Sequence, residues 1–163
     1  MVMFYLLVVP NLHGHAIDIW TVVLEISVLM AAFPSRQIAE LSHRYRTLGL
    51  GFANLGAMLM QAGIPYDSDD GRNYAGAITA LMHGEAYAQS SRIAELRGPF
   101  AGYHRNQKPM LRVIGKHRKA AKTIAKNGVS DEMRTAVKNV WDECYALGAV
   151  YFSSQTCDEA SDA

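Results

Sequence analysis

The sequence predicts a mainly α fold of about six helices, with one short extended segment near residues 48–52. Two observations carry this. Apolar residues recur at helical spacing through long stretches, and those stretches are punctuated by stop signals at Pro34, Gly63, Gly98 with Pro99, and Asn127 with Gly128. By contrast, Gly49 and Gly51 flanking Leu48 and Leu50 make the one place that suits the end of a strand. With 50% apolar residues in 163, the chain can build one core.

Residues 1–16 suit a short strand or an irregular leader. Ile17 to Ala32 follows as a helix, with Asp18, Thr21 and Glu25 on one stripe and Ile19, Trp20, Val23, Ile26 and Met30 over the rest. That pattern predicts burial on most sides. Pro34 ends the helix, and Ser35 caps the next, whose narrow apolar face is Ile38, Leu41 and Tyr45.

The stretch from Arg46 to Ser68 organises the chain. Its glycines, Gly49, Gly51, Gly56 and Gly63, stand among apolar residues, and Asn54, Pro65 and Asp67 complete the motif. Close backbone approach or positive φ is expected at Gly49 and Gly51, making both intolerant of bulk. Ala53 to Ala62 is a short helix stopped by Gly63, and Pro65 prevents its continuation. Asp67 or Ser68 then caps a helix over about Asp69 to Leu96, rich in small residues that let neighbours approach closely. Asn106 to Lys108 caps a further helix with Pro109 in its first turn, running to about Ala125. Ser130, with Asp131 and Glu132, opens the last helix, through Val137, Val140, Trp141 and Leu147, and the polar residues from Ser153 suggest a frayed end.

A formal net charge of +1 gives no global steering toward nucleic acid or membrane. The signs are segregated, however: Leu96 to Ser130 holds nine Lys or Arg and no Asp or Glu. Two cysteines, Cys144 and Cys157, are too few for a disulfide scaffold or a metal knuckle, so a reducing cytoplasm is the expected compartment. The apolar opening lacks a basic n-region and is cut at Pro10, which argues against a signal peptide, and no apolar run reaches the ~20 residues of a bilayer span.

Several patterns invite chemistry and are better read as structure. GLGFANLG fails the dinucleotide fingerprint because Asn54 stands where glycine is required. DSDDG fails as a calcium loop, since the bidentate glutamate position falls on Ile78, and helix capping explains it. Arg112, Lys116 and Lys119 on the basic helix 110–126 are candidate phosphate contacts, weighed against an ordinary solvated face. His13 and His15 lack further ligands, and His43, His83, His104 and His117 read as isolated.

The run WTVVLEISVLMAAFPSRQIAELSHRYRTLGLGFANLGAMLMQAGIPYDSDDGR, continued by AITALMHGEAYAQSS, ELRGPFAGYHRN and MLRVIGKHRKAA, resembles an internal segment of the adenosylcobalamin-dependent (class II) ribonucleotide reductases. It covers roughly Ile17 to Gly148, leaving residues 1–16 as a leader and 149–163 as a polar tail. The resemblance implies a fragment of a much larger α/β barrel subunit, with Arg46, Gly49, Gly51, Asn54, Gly56, Pro65 and Asp67 as barrel scaffold. It implies ribonucleotide reduction with adenosylcobalamin for the family, and neither catalysis nor cofactor binding for this chain alone. The radical cysteine, the redox cysteine pair and the substrate-holding asparagine and glutamate belong to segments outside the match, and neither Cys144 nor Cys157 is carried over as a catalytic thiol. The implied partners are the remaining reductase segments or a second copy; membrane and nucleic acid are not expected. Two alternatives stand beside this: a non-catalytic helical interaction module, and a weak phosphate or nucleic-acid binder through the basic helix. On either of the first two readings Trp20, Leu24, Leu55, Met58, Leu59, Ile78, Leu81 and Met82 must find burial without the barrel's sheet.

Overall fold

The computed structural model describes the backbone of residues 10–47 and 49–158 and the side chains of residues 13–47 and 49–148. It comprises six helices: α1 Pro10–Met30, α2 Arg36–Tyr45, α3 Leu55–Gln61, α4 Asp69–Arg97, α5 Tyr103–Ala121 and α6 Asp131–Asp158. Among the described residues there is no strand. Residues 49–52 have no regular secondary structure, and Leu48 lies outside the described residues.

The helix starts follow local side-chain chemistry. Ser35, Ser68 and Ser130 each accept a backbone N–H three residues on, from Ile38 at 3.3 Å, Gly71 at 3.0 Å and Met133 at 3.1 Å. At the end of α3, Gly63 adopts φ 69° and donates to Met60 O, while Ile64 N donates to Leu59 O at 2.9 Å. This is a Schellman ending, and the left-handed residue it needs is the glycine.

Several boundaries differ from the sequence expectation, among them the end of α5, at Ala121 rather than about Ala125. α1 begins at Pro10, so residues 10–16 are helix rather than strand or irregular leader; proline suits a first helical position because its missing N–H would be unpaired there anyway. α5 begins at Tyr103 rather than beyond Asn106, leaving Pro109 inside the helix. The cause is tertiary: Gly102 N donates to Arg44 O at 2.9 Å, which pins the turn onto the end of α2. The last helix runs to Asp158, past the polar composition that suggested fraying from Ser153, and residues 159–163 lie outside the described residues.

α4 and α6 form the central pair. A Cβ built on Gly84 of α4 would stand 2.7 Å from Val140 Cγ1, so the two backbones approach as only glycine permits. Four residues back, Ala80 O accepts the indole N–H of Trp141 at 3.0 Å. Around this seam Met58 and Leu59 of α3, Ala77, Ile78 and Leu81 of α4, Ile114 of α5 and Met133, Val137 and Cys144 of α6 are buried. Burying a Leu, Ile or Met side chain stabilises by about 1.5–3 kcal/mol, so this cluster dominates the favourable side of folding.

α1 corrects the sequence expectation of burial on most sides. Trp20 is 59% exposed and Met30 79%, with Ile19, Val23, Ile26 and Leu29 also open to solvent. The face turned inward is the polar one, carrying Thr21, Asp18 and Glu25. Thr21 is fully buried and donates its hydroxyl to Ile17 O at 2.8 Å, the ordinary solution for a hydroxyl inside a helix.

Candidate functional site

The inward polar face of α1 borders a cavity of about 450 Å³. Thr21 and Glu25 contribute from α1, Tyr45 from the end of α2, Arg46, Thr47, Gly49 and Leu50 from the residues after it, Met82, His83, Tyr87 and Ser90 from α4, and Phe100 and Met110 from the approach to α5 and from α5 itself. Its position depends on one backbone feature. Arg46 closes α2 in the left-handed conformation, φ 46° and ψ 50°, with its N–H bonded to Ser42 O at 2.8 Å. Its side chain meets Glu25: Nε donates to Oε2 at 3.0 Å and Nη2 donates to Oε1. Both side chains are largely buried, 19% and 17% exposed, so this bidentate pair is screened far less than a surface bridge.

Behind His83 of the cavity wall lies an aromatic stack that does not itself line the cavity. His83 stacks on His117 with centroids 5.8 Å apart, and His117 lies over Trp141 at 5.5 Å with planes 11° apart. The two histidines read as isolated in sequence are therefore neighbours joining α4, α5 and α6. Their 34-residue separation hides this, and no local signal could have shown it.

A second polar centre lies where α1, α4 and α6 meet. The guanidinium of Arg92 donates to Asp18 and Glu85 at 3.3 Å each, to Gln89 at 3.0 Å and to Glu143 at 2.6 Å. Burial pushes the Glu85 carboxyl above the usual range, and the neighbouring Asp18 charge adds to this. His13 is buried with Nε2 lacking a hydrogen-bond partner, and burial lowers its pKa.

Neither centre is equipped for thiol or metal chemistry. Cys144 is fully buried, and burial pushes its thiol up to about 12, so the reactive thiolate is suppressed. Cys157 lies outside the residues whose side chains are described. Among the described residues no group of three or more His, Cys, Asp or Glu is placed to hold a metal ion.

The structure does not gather the sequence motif into one site. Arg46 and Gly49 line the cavity. Asn54, at φ 65°, opens α3 with its carbonyl accepting Met58 N; Gly56 packs against the Tyr66 ring; and Pro65 O accepts the Ser68 hydroxyl at 2.6 Å. Asp67 accepts from Arg72 at 2.6 Å. Gly51 is exposed, and neither it nor Gly49 meets the expectation of close approach: an added Cβ finds nothing within 4 Å, and neither has positive φ.

The basic helix is more regular than its sequence suggests. Arg105, Lys108, Arg112, Lys116 and Lys119 of α5 recur every three or four residues along one face, are exposed, and take part in none of the ion pairs among the described residues. Arg118 and Lys122, on the flank toward α6, are held by Asp142 at 2.5 and 3.6 Å.

A sequence profile described as the barrel domain of ribonucleotide reductase matches residues 11–148. The chain belongs to the ribonucleotide reductase family. Among similar proteins, the vitamin B12-dependent ribonucleotide reductase of Agrobacterium fabrum is 62% identical over 109 residues, 67% of this chain and 9% of that protein. The same-named protein of Bradyrhizobium diazoefficiens is 58% identical over 109 residues, again 67% of the chain and 9% of the relative. That of Rhodopirellula baltica is 45% identical over 127 residues, 78% of the chain and 12% of the relative. The chain thus spans about a tenth of the length of the reductases it matches. None of the described helices is long and apolar enough to cross a membrane.

Proposed function

We propose that this chain is a scaffold segment of a vitamin B12-dependent ribonucleotide reductase, and that by itself it neither reduces ribonucleotides nor binds adenosylcobalamin. The observation that carries this is the pairing of a family match over residues 11–148 with a single described thiol, Cys144, sealed in the core. Ribonucleotide reduction belongs, on this reading, to the whole reductase in a reducing cytoplasm. The cavity also does not fit the cofactor: about 450 Å³ suits a drug-sized molecule, and a corrinoid with its nucleotide tail is far larger. Arg46 acts here by tying the end of α2 to Glu25 of α1, not by contacting substrate.

The test is an assay of the purified chain with adenosylcobalamin, a dithiol and each ribonucleoside diphosphate. No deoxyribonucleotide and no change in the cobalamin absorption spectrum are expected. Turnover that disappears in a Cys144→Ala, Cys157→Ala double variant would overturn the proposal by assigning the chemistry to these thiols.

A second reading, a helical module that engages a partner, is favoured by the open apolar face of α1. The two readings are compatible.

A further inference from the structure

The cavity bordered by α1, the end of α2 and α4 has aromatic rings in its wall, and each of three rings is held by a neighbour. Tyr45 packs on Gly102, where an added Cβ would stand 2.7 Å from Tyr45 Cε1. Tyr87 contacts the rings of His83 and Trp141, with centroids 5.7 and 6.4 Å away, and Phe100 meets Tyr103 edge to face at 5.5 Å. These rings are therefore ordered before any ligand arrives, which spares the cost of fixing them on binding. At about 450 Å³ the space falls within the ~300–1,000 Å³ typical of small-molecule sites.

The charged end of the cavity is the Glu25 and Arg46 pair. Arg46 spends Nε and Nη2 on the two oxygens of Glu25, and among the described residues its Nη1 has no hydrogen-bond partner. The pair is neutral as a whole, and the capacity it leaves over is that of a donor. A ligand carboxylate would be repelled by Glu25 and a ligand cation by Arg46, so a neutral acceptor suits this end. We propose that the cavity binds a neutral, planar molecule of about two fused aromatic rings, packed against Tyr45, Tyr87 and Phe100, with a carbonyl oxygen accepting a hydrogen bond from Arg46. Such binding goes beyond the scaffold role and does not depend on it.

The test titrates the purified chain with three probes of one outline, followed by saturation-transfer NMR: coumarin, naphthalene and 2-naphthoate. Coumarin, neutral and carrying a carbonyl, should bind with a Kd between about 0.1 and 1 mM. Naphthalene, which lacks an acceptor, should bind about tenfold more weakly, and 2-naphthoate should also bind less tightly than coumarin because its charge faces Glu25. Two variants fill the cavity from α4, Ala86→Phe and Ala94→Phe. Whichever of them melts within about 2 °C of the wild type should bind coumarin at least about tenfold more weakly. No coumarin binding at about 5 mM overturns the proposal. So does coumarin binding no tighter than that of naphthalene, or binding that a folded filling variant leaves unchanged. A 2-naphthoate complex tighter than that of coumarin overturns it as well, since the site would then select an anion.

Discussion

Gly84 and Val140 face each other across the α4 to α6 seam so closely that a methyl group on the glycine would overlap the valine at 2.7 Å, with the Trp141 ring at 3.2 Å behind it. Neither neighbour can retreat: Val140 is β-branched, and Trp141 is fixed by its bond to Ala80 O. Gly84→Ala should therefore destabilise by about 1–3 kcal/mol through overpacking. Gly76→Ala, on an open surface of the same helix with nothing within 4 Å, should instead stabilise by up to about 1 kcal/mol. Denaturant melts of the two variants check both signs, and equal shifts would show that helix propensity alone governs.

Gly51→Val should leave the melting temperature of this chain nearly unchanged. The sequence suggests a loss of several kcal/mol, but the open surroundings of Gly51 and its ordinary φ remove the reason for one. Thermal unfolding followed by circular dichroism decides between these values.

Acid should destabilise the fold partly through His13. Its pKa is lowered in the folded state, so the unfolded chain binds the proton more readily; the stability His13 contributes is intact above about 6.5 and is lost as pH falls below it. The slope from this one group is at most about 1.4 kcal/mol per pH unit. Glu85 acts in the opposite sense, because its raised pKa favours the protonated folded form as pH falls through the carboxylate range. His13→Leu should flatten the loss of stability between pH 7 and 5, and an unaltered pH profile would remove His13 from the account.

The basic face of α5 should bind nucleic acid only weakly and without sequence preference, since it presents no aromatic ring for stacking. With five free cations available, the dependence of log affinity on log salt should be no steeper than about −4.5 for a duplex. Fluorescence anisotropy with a labelled 20-mer between 50 and 200 mM salt measures it. Tight binding insensitive to salt would show a contact of another kind.

Much of the local structure was legible because it depends on neighbours in sequence. The Ser35, Ser68 and Ser130 caps and the Gly63 ending each need only the next few residues, and each formed. The start of α5 was not legible, because it is set by Gly102 docking on Arg44, 58 residues earlier. Nor was the orientation of α1, which is apolar over most of its circumference. The decision is made by Arg46 and Arg92, 21 and 74 residues from the carboxylates they hold. Arg46 was singled out for its place in the glycine-rich motif, but its role at the cavity depends on Glu25, which no motif names. Trp20 was expected to be buried and is open, while Met58, Leu59, Ile78 and Leu81 did find cover.

The ionic attachment of α1 divides the molecule in time as well as in space. Among the described residues the apolar core is drawn from α3 to α6 and the loop residues beside them, so α1 can lift away at the cost of the Glu25 and Asp18 contacts and a few buried groups, leaving that core closed. Amide hydrogens of α1 should then exchange with solvent through a partial opening of low free energy, while those of α4 and α6 wait for global unfolding. Glu25→Gln, by weakening the ionic latch, would hasten exchange in α1 and leave the α4 to α6 amides almost as slow as before.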